Sequence, residues 1–438
     1  MIKKLFLPLF TGGLIGKFAG VFRELLMAWC FGTSAETSSF RITQTVLLSP
    51  INLFSSDIIS GGLIPKYRAL LDNNNNAEAR SLFGAVLIIN LALALLLTLF
   101  FLIFSKNITS FFLESGEGYF DILHSFIYGA AFSIIPYVYS NICSSILVVH
   151  KELSPFSHRA SIQAVILSIG IILSFYLKNY IYFVYAFPLA YVFMSIWISI
   201  ILIRIKVIPL FEDVLFTIVN FFKNVKYLLL VPALYQIYWV IEKHVGSQIS
   251  LTMISTYEYA KFYTETFISL ISVPLGYAIL ASSHEETIKA KKTILYYNLF
   301  VLFVSYILFF FGWFFIKLVY QHGSFTANDT IEVYEQLKIL SISLFFQANF
   351  YLNLKILAVK SRYAIILFSV FCSVVSGILS LFFLRDTLGV YTVAVSFLIF
   401  NFVGSLILIV IERALELYMF LVLLSVLVLA GLFFCKYV

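Results

Sequence analysis

Long apolar stretches separated by short polar ones run along almost the whole chain. They fall near 5–30, 42–65, 82–104, 122–149, 159–177, 181–203, 225–244, 251–280, 294–319, 334–358, 364–384, 390–411 and 415–436. At 1.5 Å per residue, each can cross a hydrocarbon core of about 30 Å, so the pattern predicts about thirteen spans. The spans must be helical, because lipid offers no partner to a backbone N–H or C=O. Strands of a membrane barrel would be about ten residues long and would alternate, whereas these runs are continuously apolar. The expected fold class is therefore an all-α polytopic membrane protein.

Composition agrees with this pattern. Of 438 residues, 61% are hydrophobic and 12% charged, roughly half the charged share of a soluble domain. A single anchor on a soluble domain is excluded, since the apolar runs cover nearly the full length. The net charge of +7 does not point to nucleic acid, because the basic residues are dispersed among short loops. The four Cys lack pairing or metal spacing, and Cys143 and Cys372 fall in apolar runs as expected core residues. The first apolar stretch has no small-residue cleavage site and is expected to be the first span.

Loop charge sets the expected orientation. With the N-terminus in the cytoplasm, Lys3, Lys4, Lys66, Arg68, Arg80, Lys151, Arg159, Arg204, Lys206, Lys223, Lys226, Lys289, Lys291, Lys292, Lys360, Arg362 and Arg413 lie inside. The other side receives few, among them Lys106, Lys178, Arg385 and Lys436, and an acidic loop with Glu114, Glu117 and Asp121. This is the positive-inside bias. Several expected spans are interrupted, by Gly12, Gly13, Gly16 and Gly20, by Pro50 and Gly61-Gly62, and by Pro136, Pro188, Pro232 and Pro274. Such breaks suit transporter repeats and suit ordinary helix packing equally.

Ionisable residues inside spans carry the candidate chemistry, because a charge facing lipid costs several kcal/mol. They are Lys17, Arg23 and Glu24 in the first span, Asp57 in the second, Glu242 and Lys243 in the seventh, and Glu258, Lys261 and Glu265 in the eighth. Lys338 and Lys355 fall in the tenth. Glu258, Lys261 and Glu265 have the spacing of one helical stripe. Arg23 and Glu24 are adjacent and so should not share a helix face. Lys243, Lys338 and Lys355 are expected to snorkel, stems in the apolar layer and heads in water. Lys17, Arg23 and Lys261 are expected to line a cationic cavity, with Glu24 pairing with a neighbour to orient the cluster or acting in gating. Asp57, Glu242, Glu258 and Glu265 are secondary candidates. A cationic cavity calls for an anion, and phosphate or diphosphate suits Arg through paired hydrogen bonds. An amphipathic, lipid-linked phosphate would explain a site inside a membrane protein.

Enzyme signatures are weak. There is no glycine-rich phosphate loop ending in Lys-Ser/Thr, and His124, His150, His158, His244, His284 and His322 show no ligand spacing. No cofactor is expected. Coupling to Na⁺ or H⁺ is possible in principle, with no readable site.

Two stretches resemble the MurJ/MviN lipid II flippase family, within the multidrug/oligosaccharidyl-lipid/polysaccharide exporter superfamily. "GKFAGVFRELLMAWCFGTSAETSSF", 16–40, looks like that family's opening, with Arg23-Glu24 on its basic–acidic pair and Phe31-Gly32 on its turn. "YQHGSFTANDT", 320–330, is similar to its loop after the ninth helix, with His322 in place of the usual Arg. "VPALYQIYWVIE" near Val231 looks like its seventh helix, with Glu242 where an Asp is usual. The chain departs from the family at Ser55, Ser56 and Asp57, where the second helix carries an Arg, and at Lys261-Phe262, near an Asp-Arg pair. Family members usually have fourteen helices.

The resemblance implies two pseudo-symmetric six-helix bundles, 1–205 and 206–412, around a central cavity, with one more C-terminal helix at 413–438. It places Arg23 at a substrate-cavity position and gives Lys261 no such support. It implies a flippase of the bacterial inner membrane, N-terminus cytoplasmic, moving an undecaprenyl-diphosphate-linked glycan to the periplasmic leaflet. The glycan would be lipid II or an O-antigen or capsule precursor. The expected partners are that lipid and membrane lipid, with glycan-assembly enzymes as further candidates, and the expected state is a monomer. The competing readings are a cation-coupled drug antiporter of the same superfamily, which would prefer an acidic cavity, and a non-transporting scaffold for polysaccharide assembly.

Overall fold

A computed structural model of the chain describes residues 2–55, 57–114, 118–152, 154–212, 214, 230–273, 275, 291–359 and 362–411. Within these, the side chains of some stretches, among them 2–15, 52–62 and 291–295, are not described. The chain forms two compact units, Met1–Gln236 with His322–Phe325, and Ile237–Gln321 with Thr326–Val438. Regular structure among the described residues is helical throughout.

The first unit contains α1 (Ile2–Phe31), α2 (Ala35–Ser55), α3 (Asp57–Asp72), α4 (Asn76–Ile103), α5 (Ser105–Phe112), α6 (Phe120–Ala131), α7 (Ile134–Val149), α8 (Ser154–Tyr176) and α9 (Ile181–Arg204). Helix α1 packs along α8, α8 on α9, α9 on α7, α7 on α4, and α2 on α6. Aromatic rings fill the core between them. Phe40 of α2 meets Phe183 of α9 at 4.7 Å, Phe126 of α6 meets Phe183 at 5.3 Å, and Tyr137 of α7 meets Tyr191 of α9 at 4.8 Å. Small residues let the helices close in, as where Gly170 of α8 faces Ala186 and the Tyr182 carbonyl of α9.

Local chemistry explains the breaks. The expected span 122–149 is a bent pair, α6 and α7 meeting at 44°. Pro136 lies in the first turn of α7, where its missing N–H and its ring end the preceding helix. The expected span 42–65 is divided between α2 and α3, and α2 begins earlier, at Ala35. The reason is local: Gly32 turns the chain at φ +56°, and Thr37 Oγ donates to the Gly32 carbonyl. The expected outer loop after residue 104 holds the short helix α5. After α9, residues 208–212 lie along the start of α4. Arg80 Nε donates to the Ile208 carbonyl at 2.7 Å, Leu210 N to the Arg80 carbonyl at 3.0 Å, and Ser81 Oγ to the Glu212 carbonyl at 2.7 Å. Gly84 admits this strap, since a Cβ there would stand 1.9 Å from the Leu210 oxygen.

Helices α7, α8 and α9 end alike. Lys151, Lys178 and Lys206 each take φ between 51° and 65° just past the helix, and the next N–H reaches back to a carbonyl of the last turn. Glycine is usual at this left-handed position. Lysine tolerates it at a small cost and sets a positive charge against the negative end of the helix dipole.

The second unit contains α10 (Leu230–Ile249), whose first turns belong to the first unit, and α11 (Leu251–Phe267), which passes into a π-helical turn at Ile268–Ser272. It continues with α12 (Lys291–Tyr320), α13 (Ala327–Val359), α14 (Tyr363–Phe383), α15 (Arg385–Leu388) and α16 (Thr392–Ile411). Helix α13 lies at its centre, packed by α11, α12 and α16. Thr326 and Asp329 start α13 as a reciprocal capping box: Thr326 N donates to Asp329 Oδ2 at 2.6 Å and Asp329 N to Thr326 Oγ at 3.2 Å. Tyr238 of α10 stacks on Phe400 of α16 at 4.6 Å, and Gly377 of α14 leaves room for the Tyr238 ring.

Among the described residues, seven helices are long and apolar enough to cross a membrane, or eight if the bent α6–α7 pair is one span. Helix α11 is outside that number. It has 17 residues and carries Glu258, Lys261 and Glu265, so hydropathy alone does not mark it. The expected last span, 415–436, lies outside the described residues.

Candidate substrate site

In the first unit the chemistry centres on Glu24. It is 1% exposed, two turns before the end of α1, and such a carboxylate must be matched by charge. Its Oε1 accepts from Arg23 Nη2 and its Oε2 from Arg41 Nη2. Adjacent on the helix, Arg23 and Glu24 do not share a face, and yet their side chains meet. Their Cβ atoms point apart, but the Arg stem is long enough to bring its guanidinium back to the neighbouring carboxylate. Lys17 lies seven residues before Glu24, close to two full helical turns, and so on the same side of α1; it is half-buried. Lys17 and Glu24 thus lie on one side of α1, and Arg23 joins them only through its long side chain. Arg41 was not among the expected site residues. It enters because α2 starts at Ala35 and carries Arg41 two turns in.

In the second unit the charges converge through a helical hairpin. Ser250 turns the chain between α10 and α11 in an extended conformation. Glu242 precedes it by eight residues, and Tyr257 and Glu258 follow it by seven and eight. Two antiparallel helices joined by one residue bring such positions to one height, about 12 Å from the turn. Tyr257 OH donates to Glu242 Oε2 at 3.1 Å. Lys243 pairs with Glu258 and lies 3.5 Å from Glu242; Lys261 lies 3.6 Å from Glu242 and 3.7 Å from Glu265. Both ammonium groups stand 5.2 Å from the Tyr257 ring centre, and Lys261 also stands 4.8 Å from that of Phe397 on α16.

The candidates are therefore distributed as follows. The structure brings Arg23 and Glu24 together in the first unit, and Lys261, Glu242, Glu258 and Glu265 together in the second. Lys261 is not a bare cation: three carboxylates surround it and Lys243. The expectation that Lys243 snorkels is corrected, because it is 3% exposed and held by Glu258 across the hairpin and by Glu242 beside it. Lys338 is likewise 7% exposed, pairs with Glu335 and stands over Tyr334, so a partner one turn away replaces water. Lys355 is half-buried over Tyr351. Asp57 opens α3, but its side chain is outside the described residues. Among the described residues no group of three or more His, Cys, Asp or Glu could hold a metal ion.

The expected family motifs also find their place. Phe31-Gly32 ends α1, and within the same unit His322–Phe325 dock on that end. Ser324 N donates to the Trp29 carbonyl at 2.8 Å and Ser324 Oγ to the Cys30 carbonyl at 2.9 Å. These carbonyls are among those a helix end leaves without an intrahelical partner. The two most specific motifs in the sequence thus form one joint.

The profile of the lipid II flippase MurJ family matches residues 27–435. The chain belongs to that family. Its members are transporters and not enzymes. No curated protein matches the chain. Among solved structures, it is similar to a lipid II flippase MurJ in an inward closed conformation, at 18% identity and TM-score 0.82, over 99% of this chain and 93% of that one. It is also similar to an inward-facing multidrug resistance MATE transporter, at 14% identity and TM-score 0.76, over 90% and 94% of the two chains. A third likeness is a transporter of the same superfamily from Pyrococcus furiosus, at 14% and 0.64, over 94% and 95%. At these identities the likeness is one of fold, that of a multi-pass helical membrane protein.

Proposed function

We propose that this MurJ-family flippase carries a lipid-linked glycan, joined through a diphosphate, from the cytoplasmic to the periplasmic leaflet of a bacterial inner membrane. The observation that carries the reading is the part-buried cationic group on α1. Lys17 lies on the Glu24 side of α1 and the Arg23 guanidinium reaches that carboxylate, within a span where charge needs an interior environment, and a phosphate-bearing lipid is an anion that reaches such a depth. Glu24 is the positioning residue that fixes the Arg23 guanidinium. Lys261 is then a member of the network joining α10 to α11, and not a phosphate ligand. Lipid II is the substrate the family name supports, and Asp57 and Lys261, where the chain departs from the family pattern, keep an O-antigen-type precursor as the second candidate. The arrangement proposed with this function is two six-helix bundles with one further helix.

The test is translocation in proteoliposomes holding the full chain, with lipid II and an O-antigen-type lipid precursor supplied separately. Transport of at least one is expected. Transport of neither by well-folded protein would favour the scaffold reading. Arg23→Ala should reduce transport roughly ten- to hundredfold, the scale of losing a charge-assisted contact of about 1.5–3 kcal/mol, at normal membrane accumulation. Arg23→Lys should recover part, because an ammonium keeps the charge and loses the fork. Normal transport by Arg23→Ala would remove the diphosphate assignment.

The proposed orientation has its own check. Cysteines placed at Asn73 and Asn328, both exposed, should react with an impermeant thiol reagent from opposite faces, Asn73→Cys from the cytoplasm. Labelling of both from one face would overturn the proposed order of spans.

A further inference from the structure

Asn298 of α12 is 1% exposed, and neither its Nδ2 nor its Oδ1 has a hydrogen-bond partner among the described residues. A carboxamide carries two donors and two acceptor lone pairs, and nearly all such groups inside proteins are satisfied. Ser305 is as deeply buried, and its Oγ also has no partner among the described residues. Seven residues separate Asn298 from Ser305, and seven more separate Ser305 from Gly312, so the three lie on one stripe of α12. Gly312 fixes where that stripe points, because a Cβ there would stand 2.8 Å from Leu337 and 3.3 Å from Tyr334 of α13. The two helices are joined by the short connection 321–326 and run antiparallel. Ser305 and Asn298, seven and fourteen residues before Gly312, therefore come level with Ser341 and Ala348, seven and fourteen residues after Tyr334. Both of these are small and fully buried. Val301, Leu344 and Ala348 belong to one apolar cluster, so the helices stay packed up to that height.

We propose that Asn298 and Ser305 form a binding site for ordered water in the seam between α12 and α13. Small residues opposite two unpartnered polar side chains make room for a ligand there, and a buried water takes two to four polar partners. The Asn298 carboxamide supplies donors and acceptors. Ser305 Oγ supplies a donor, and Ser341 Oγ, which donates to the Lys338 carbonyl at 2.7 Å, keeps its lone pairs to accept. These three side chains are neutral, which suits a neutral ligand that both donates and accepts; a buried ion would call for an opposite charge. Ser343, two residues on and so on the opposite side of α13, is joined directly instead: Asn401 Nδ2 of α16 donates to its Oγ at 3.2 Å. Helix α13 is thus tied to α16 side chain to side chain, and to α12 at this level through water. The inference does not depend on which lipid is carried.

The experiment is radiolytic hydroxyl labelling of the full chain in nanodiscs, read residue by residue by mass spectrometry at varied delays after mixing into ¹⁸O water. Radicals made from a bound water mark the side chains beside it, including those that bulk water does not reach. Val301 and Leu344 flank the site, one on each helix, and both are fully buried. Both should be labelled, and their label should take up ¹⁸O later than that of the exposed Tyr119 in the loop before α6. Phe183, fully buried in the aromatic core of the first unit, should stay unlabelled. Asn298→Leu, which keeps the volume and removes the polar atoms, should abolish label at Val301 and Leu344, and Ser305→Ala should lower it. An unlabelled Val301 and Leu344 in the wild type would overturn the inference. So would label that exchanges as fast as that of Tyr119, which means open solvent, and label that survives both substitutions, which places the water elsewhere. If Asn298→Leu does not accumulate, the wild type and Ser305→Ala decide between the same outcomes.

Discussion

Glu242→Ala should leave little folded protein in the membrane. Glu242 is 1% exposed, accepts from Tyr257, and stands between Lys243 and Lys261. Deleting it leaves a buried hydroxyl and two buried ammonium groups with less negative charge around them. Removing one partner of a buried ion pair costs about 3–5 kcal/mol, a large part of a typical stability of about 5–15 kcal/mol. Glu242→Gln should behave differently. Gln keeps the size and an oxygen for Tyr257, and it changes three carboxylates against two ammonium groups into two against two. Lys261→Met runs the other way, leaving three carboxylates against one ammonium, and should be as damaging as the alanine. The measurement is the monodisperse yield and melting temperature of detergent-solubilised protein. The expected order is wild type near Glu242→Gln, with Glu242→Ala and Lys261→Met far below. Equal melting of Glu242→Ala and wild type would mean that the hairpin network does not hold α10 to α11.

The spans were readable because lipid imposes a strict rule, and α4, α9, α12 and α14 obey it in continuous apolar runs. What escaped the sequence are helices that lipid does not see. α2 begins in Ala-Glu-Thr-Ser-Ser, and polar residues there are buried against protein; Thr37, Ser38 and Ser39 are all inaccessible. A hydropathy window therefore starts the span at residue 42 and leaves Arg41 in a loop. A reading from helix-start signals, with Ser34 before a first turn holding Glu36, would have moved the boundary back and exposed Arg41 as an in-span charge. Lys243 failed for another reason. Its position near a span end matches snorkelling, and its partner Glu258 lies across a turn, so only the pairing of α10 with α11 distinguishes the two outcomes. The motif at 320–330 was legible as a motif, yet its residues build a helix cap and a docked loop. Specific sequence signals in this chain mark backbone geometry as often as they mark the substrate site.

Gly323→Ala should destabilise the protein far more than Gly20→Ala, because Gly323 has a positive φ of +61° and Gly20 lies inside helix α1. At Gly323 a side chain meets the left-handed conformation, at about 1–2 kcal/mol. At Gly20 a Cβ would meet nothing within 4 Å, and alanine is the better helix former, so no such cost arises. At Gly323 it would stand 2.3 Å from Trp29 Cδ1 and 2.4 Å from the Trp29 carbonyl oxygen. That oxygen cannot retreat without breaking its bond from Ser324 N, and the Trp29 ring packs on Phe175 at 5.5 Å. Overpacking of this kind adds roughly 1–3 kcal/mol, for a total of about 2–5 kcal/mol. Gly32, at φ +56° with the Ser324 carbonyl 2.7 Å from its would-be Cβ, should respond as Gly323 does. Gly323→Val should not accumulate at all, since a branched side chain has no left-handed alternative there. Thermal melting of the alanine variants in one detergent compares the three positions directly. A Gly323→Ala shift no larger than that of Gly20→Ala would mean that residues 322–325 do not bear on the end of α1, and the joint between the two motifs would have to be abandoned.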